Sequence, residues 1–126
     1  MQFVAFDLET TGLDTKNDDI IELGFALYDT RFPAPLTMHS FLIQPKVAIS
    51  EEITGITGIT QEHVDKFGVP LDEAIFALIK CIQNAEYAGP VKYLVGHNAL
   101  DFDYPMLKNN CLRAGLELPQ VTICDT

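Results

Sequence analysis

The chain has few of the features that mark several common functional classes. Its 126 residues carry eight basic side chains against 18 acidic ones, a net charge of −10. The basic residues Lys16, Arg31, Lys46, Lys66, Lys80, Lys92, Lys108 and Arg113 are scattered, so there is no basic stripe to track a duplex backbone. Cysteine is sparse and odd in number. Cys81, Cys111 and Cys124 form no Cys-x-x-Cys pair, which implies neither a zinc site nor a disulfide framework and reads as reduced core thiols. No apolar run is long enough to span a bilayer, and the first residues show no basic n-region or small-residue cleavage site. The expectation is a soluble, cytoplasmic protein with no membrane partner. Phosphate-binding loops of the Gly-Lys-Ser/Thr and Gly-x-Gly-x-x-Gly kinds are absent as well.

What the sequence does have begins almost at its first residue. Phe3-Val4-Ala5-Phe6-Asp7-Leu8-Glu9 is an apolar run with aromatic and β-branched members, closed by Thr10-Thr11-Gly12-Leu13. That is the pattern of a buried central strand. Asp7 and Glu9 are two residues apart, so in a strand both side chains point to one face, with α-carbons roughly 6.5 Å apart. Like charges so placed repel, and a divalent cation between them removes the repulsion; an all-oxygen ligand set of this kind suits Mg²⁺ or Mn²⁺. The alternative is a strand end whose acids simply emerge into solvent.

The segment Phe6-Asp7-Leu8-Glu9-Thr10-Thr11-Gly12-Leu13 resembles the first motif of the DEDD superfamily of 3′-to-5′ exonucleases, which includes proofreading subunits and RNase T. The resemblance implies a site for two divalent metal ions in which Asp7 bridges both and Glu9 holds one. It also implies that the turn Thr10, Thr11, Gly12, Leu13 lies against the 3′ end of the substrate. Gly12 would allow close backbone approach and Leu13 would wedge against the terminal bases. The other reading of Leu13 is a core leucine after a turn.

A second stretch, Gly96-His97-Asn98-Ala99-Leu100-Asp101-Phe102-Asp103-Tyr104-Pro105-Met106-Leu107, resembles the second motif of the same superfamily. There a Gly-His-Asn is followed by a short gap, an aromatic residue and an Asp that opens a helix. Three residues separate the Asn from the aromatic here, as in the TREX-like branch, which also carries Asp-aromatic-Pro. That spacing makes Asp103, not Asp101, the third implied metal ligand. In the family the His-Asn pair precedes the ligand and is not the catalytic histidine, so His97 and Asn98 are read as structural or substrate-positioning residues. Pro105 suits the first turn of a helix, whose buried side is expected to be Tyr104, Leu107, Cys111 and Ala114, with Gly115 as its stop. The third motif, which brings a fourth Asp and a His or Tyr, has no counterpart in these residues. Residues 1–126 are therefore expected to be a single exonuclease domain, incomplete at its C-terminus.

Between and beyond the motifs the reading is plainer. Asp14 to Asp19 is a polar loop lacking the Gly and distal Glu of a calcium loop, hence a solvated turn. Strands are expected over Ile20–Tyr28, where Glu22 is either a family residue or an outward-facing one, and over Met38–Ile43. Phe32-Pro33-Ala34-Pro35 breaks the pair, and the short connections suggest an antiparallel meander. From Ser50 a loop leads to a short helix capped by Thr60, with His63 in its first turn as a surface residue; His39 has an equally weak claim to catalysis. Leu71, Ile75, Leu78, Ile82 and Ala85 form the apolar stripe of an amphipathic helix ended by Gly89-Pro90. Tyr93-Leu94-Val95 and Val121 to Thr126 read as further strands, the latter like the strand with a terminal Asp-Thr in relatives.

The expected fold is α/β, a ribonuclease-H-like mixed sheet of three antiparallel strands followed by parallel strands, with flanking helices. The expected function is metal-dependent 3′-to-5′ hydrolysis at a single-stranded or frayed end of DNA or RNA, weak in this form, with a polymerase or a second protomer as a further partner. Acidity does not exclude this, because an enzyme gripping one strand end through metal ions needs few phosphate contacts. The rival reading is a non-catalytic nucleic-acid-binding or interaction module on the same scaffold.

Overall fold

A computed structural model describes residues 1–83 and 89–126. The stripe residue Ala85 lies outside the described residues. Five strands form one sheet in the order β3-β2-β1-β4-β5. They are β1 (Gln2–Thr10), β2 (Ile20–Asp29), β3 (Thr37–Leu42), β4 (Tyr93–Gly96) and β5 (Thr122–Asp125). The first three are antiparallel, and β4 joins β1, and β5 joins β4, in parallel. The helices are α1 (Glu51–Thr57), α2 (Gln61–Phe67), α3 (Leu71–Gln83) and α4 (Tyr104–Arg113), the last preceded by a π-helical turn, Ala99–Asp103.

Alternation along β1 decides which side is core. Val4, Phe6 and Leu8 are buried and pack with Leu23, Phe25 and Leu27 of β2 and with Leu94 of β4. Against this face lie Ala74, Ile75, Leu78 and Ile82 of α3 and Met106, Leu107 and Cys111 of α4. The alternating residues Phe3, Ala5, Asp7 and Glu9 point to the opposite face, outside that core. The central strand thus stabilises the sheet with one face and presents its acids on the other.

Four local expectations need correction. The stretch after Ser50, expected as a loop, contains α1: Ser50 caps it by accepting from Ile53 N–H, and Gly58 closes it at φ 79°. None of its residues is fully buried, so its sequence carries no apolar stripe. Strand β3 ends at Leu42, and Ile43 instead makes an isolated bridge to Val69. On α4 the buried positions are Met106, Leu107, Asn110 and Cys111, whereas Ala114 is the exposed C-terminal cap. The loop from Asp14 to Asp19 is not simply solvated, since Asp19 is buried and α4 grips the loop. As expected, Thr60 caps α2, accepting from His63 N–H, while His63 Nδ1 accepts from Thr60 N–H. Of the three thiols expected in the core, Cys111 is buried, whereas Cys81 and Cys124 are half-buried.

Candidate active site

Asp7 and Glu9 stand near the C-terminal end of β1, opposite Gly24 and Glu22 of β2. Just beyond Glu9 the pairing slips, so that Thr10 faces Ile20. A bulge there ends the regular ladder and lets the chain turn away. Asp7 is exposed and Glu9 half-buried. Burial, the charge of Asp7 and the charge of Glu22 together raise the Glu9 pKa above its ordinary value. Like charges directly opposed across strands are unfavourable, so this end of the sheet holds a concentrated negative field.

The turn that follows is built on its own hydrogen bonds. Thr10 Oγ1 donates to Gly12 O at 2.7 Å, and Thr11 Oγ1 accepts from Asp19 N–H at 3.0 Å. Gly12 has an internal reason: a Cβ there would overlap the Asp18 carboxylate, which accepts from Asp14 N–H at 2.9 Å. Leu13 is 85% exposed, which removes the reading of a core leucine. The loop behind the turn is tied to α4. Asn109 donates to Thr15 O, Asn110 to Asp18 O, and Arg113 to Lys16 O and Asp18 O. Asn110 also accepts from Ile20 N–H at 3.3 Å.

Asp103 arrives from the other side of β1. β4 passes so close to β1 at Gly96 that a Cβ would lie 3.0 Å from Phe6 Cε1. His97 and Asn98 follow, both exposed, and Asn98 adopts φ 52°, a left-handed conformation that Asn tolerates better than most residues. The chain then winds through the π-helical turn and brings Asp103, 6% exposed, to the head of α4. Pro105 sits in the first turn of α4, as expected. Burial first, then the Asp7 charge, pushes the Asp103 carboxyl up to about 6; His97 opposes this, and Glu9 and Asp125 add to it.

Asp7, Glu9 and Asp103 therefore share one electrostatic environment. Among the described residues no group of three or more His, Cys, Asp or Glu is close enough to hold a metal ion as it stands. The donor chemistry nevertheless fits a hard divalent cation: three carboxylates, no soft ligand, and a field that disfavours ionisation of two of them. Side-chain rotation would have to close the ligand set. Missed by sequence reasoning were Asn110 and Arg113, whose partners lie 90 or more residues away, and the contacts of the Asp125 carboxylate with backbone N–H groups.

Comparison with known proteins agrees with this architecture. The sequence matches the exonuclease family RNase_T over residues 4–126. It is 37% identical over 119 residues to the PolC-type DNA polymerase III of Clostridium perfringens, spanning 93% of this chain and 7% of that protein. Three prime repair exonuclease 2 of Mus musculus is 30% identical over 141 residues, spanning 97% of this chain and 57% of that protein. The chain thus spans little more than half of one relative and a small part of the other. Among solved structures, an Exonuclease I structure superposes with a TM-score of 0.78 at 19% identity, covering 92% of this chain and 25% of that one. Exonuclease I of Methylocaldum szegediense gives 0.75 at 21% identity, covering 89% and 23%. A five-stranded sheet with three antiparallel strands followed by two parallel ones, and a sequence match running from the first strand to the last residue, place this chain in the RNase_T family of DEDD 3′-to-5′ exonuclease domains.

Proposed function

We propose that the chain carries the metal-binding half of a 3′-to-5′ exonuclease site, acting on a single-stranded or frayed 3′ end of DNA or RNA. The observation that carries the proposal is the placement of Asp103, buried at the head of α4 within the electrostatic reach of Asp7 and Glu9 at the end of β1. In this reading Asp7, Glu9 and Asp103 hold two Mg²⁺ or Mn²⁺ ions. Bound there, such ions supply an activated water and neutralise charge on the leaving 3′ oxygen.

The chain's own residues have separate tasks. Leu13, exposed beyond the bulge, offers an apolar surface to the terminal base. Thr10, Thr11 and Gly12 hold that surface through the hydrogen bonds of their turn. His97 and Asn98, exposed at the end of β4, face solvent where a strand end would enter and serve to position it. A general base is not supplied by His39 or His63, since His39 stacks on Phe41 and packs at a tilt against Phe25 on the sheet and His63 caps α2. Loss of a general base typically removes about 10² to 10⁴-fold in rate, so these residues by themselves are expected to hydrolyse slowly. Escherichia coli Exonuclease I has been solved with a dT13 oligonucleotide, which supports a single-stranded substrate, and the likeness to a PolC-type polymerase supports a polymerase partner.

The test is a nuclease assay on 3′-labelled and 5′-labelled oligonucleotides with and without Mn²⁺. Slow, Mn²⁺-dependent loss of the 3′ label, abolished in Asp103→Ala, is the expected result. The second reading, a non-catalytic binding module, draws on the absence of a ready ligand cluster among the described residues. It predicts oligonucleotide binding with no cleavage at any Mn²⁺ concentration.

A further inference from the structure

The π-helical turn that delivers Asp103 begins without a cap of its own. Asn98 precedes it in the left-handed region and makes no side-chain hydrogen bond to it. Helix-like turns leave their first N–H groups without internal partners, and here those groups belong to Ala99 and Leu100. A carboxylate from another strand accepts them. Asp125 Oδ1 takes Ala99 N–H at 3.1 Å and Asp125 Oδ2 takes Leu100 N–H at 3.3 Å. Asp125 is placed to do so because β5 pairs in parallel with β4, setting Asp125 beside Gly96, and Thr126 N–H donates to Gly96 O at 3.0 Å. Ala99, the first residue of the turn, is completely buried, so the turn is fixed at its start by packing and by these two bonds.

We propose that Asp125 is a positioning residue for Asp103: its carboxylate caps the π-helical turn from the end of β5 and holds the turn, and with it the Asp103 carboxylate, against β1. The arrangement suits a carboxylate, since negative charge is favoured at the first N–H groups of a helical turn. It also has a cost that a purely structural cap would avoid, because Asp125 adds one more negative charge to the surroundings of Asp103. A serine or threonine cap would offer a single oxygen, whereas Asp125 sets a separate oxygen against each N–H. The inference deepens the metal-dependent reading of the site and rests on it only for its functional readout.

The test compares Asp125→Ala, which removes both acceptors and the charge, with Asp125→Asn, which removes the charge and keeps one acceptor. Asp101→Asn, in the same turn but exposed, is the control for charge alone. Two measurements are made: Mn²⁺ affinity by titration, and amide hydrogen exchange with backbone NMR shifts over residues 99–103. Asp125→Ala is expected to weaken Mn²⁺ binding about tenfold, the lower end of what loss of a supporting contact costs a metal site. Asp125→Asn should fall between Ala and wild type, and Asp101→Asn should stay near wild type. Exchange at Ala99 and Leu100 should accelerate in Asp125→Ala, with shifts reaching Asp103. Equal losses in all three variants would reduce the effect to charge and overturn the proposal. So would unchanged exchange and shifts in Asp125→Ala. A wild type that binds no Mn²⁺ would sink the metal reading of the site, while the exchange and shift data would still decide the cap.

Discussion

Two buried carboxylates sit at opposite ends of the same sheet and live under opposite conditions. Asp29, 2% exposed at the end of β2, accepts from Arg31 Nη2 at 2.7 Å and from the backbone and Nε of Arg31. The Arg31 guanidinium holds its carboxyl well below the usual carboxylate range. Asp103, 6% exposed at the head of α4, makes no salt bridge among the described residues; His97 offsets only part of the effect of burial and of three neighbouring acids. Its pKa is pushed up to about 6. The first end of the sheet is finished internally, and its charge serves the fold. The other is left in deficit, and a fold keeps an uncompensated buried acid mainly where something external is meant to compensate it.

The sharpest break of this comparison is a pair of substitutions read by two measurements. Asp103→Asn is expected to abolish Mn²⁺ binding detectable by calorimetry, and to raise Tm in chelator at pH 7.5 by roughly 3–6 °C. That shift corresponds to about 1 kcal/mol in a domain of this size, after screening at the open side of the site. Asp29→Ala is expected to do the reverse, lowering Tm while leaving Mn²⁺ affinity unchanged. If Asp103→Asn lowers Tm instead, the two acids are not opposites.

Next in size is the pH dependence of stability in chelator. The folded pKa of Asp103 lies above its ordinary 3.8, so the stability it permits is complete at low pH and is lost as pH rises through about 6. That of Asp29 lies below 3.8, so its contribution is present above that value and lost as pH falls beneath it. Thermal scans should therefore show a maximum of Tm near pH 4, with a fall between about pH 4 and 6 that Asp103→Asn flattens. A Tm that climbs steadily from about pH 4 to 6 in the wild type would refute the assignment. The smallest expected effect is that of Leu13→Ala. Removing an 85% exposed side chain should leave Tm almost unchanged, whereas a core leucine such as Leu107 costs about 2 to 5 kcal/mol on truncation. Weaker binding of a single-stranded 3′ end by fluorescence anisotropy is its only expected signature, and identical binding would retire Leu13 as a base contact.

Much of the fold was legible because its signals are local. Alternation along β1, the breaks at Thr10-Thr11-Gly12 and Phe32-Pro33-Ala34-Pro35, and the apolar stripe of α3 are each contained in a dozen residues. The missed elements depend on distant partners. Helix α1 carries no fully buried residue and exists through its two caps and the packing of Ile53 on the cluster of Ile21, Ile59 and Val64. Asn110 occupies a position on α4 that apolar periodicity passes over, because what makes a buried asparagine acceptable is a set of loop groups from the far end of the chain. For the candidate site, Asp7, Glu9 and Asp103 could be nominated from the resemblance of their two segments to family motifs. Their shared field was not legible there, nor was the reach of Asp125 across to Ala99 and Leu100.

The grip of α4 on the loop after β1 has a consequence for chain length. Asp103 and Asn110 are seven residues apart, close to two full helical turns, so they project from nearly the same side of the helix. One helps form the acidic site and the other fastens the loop behind Leu13. A single residue inserted or deleted between them would rotate one relative to the other by about 100° and shift it about 1.5 Å along the axis. Either Asp103 would leave the site or Asn110 would leave the loop. Most exposed connections of a domain can gain or lose residues at little cost, but the interval from Asp103 to Asn110 acts as a fixed gauge. An insertion there should disable the site even if every side chain discussed above were retained.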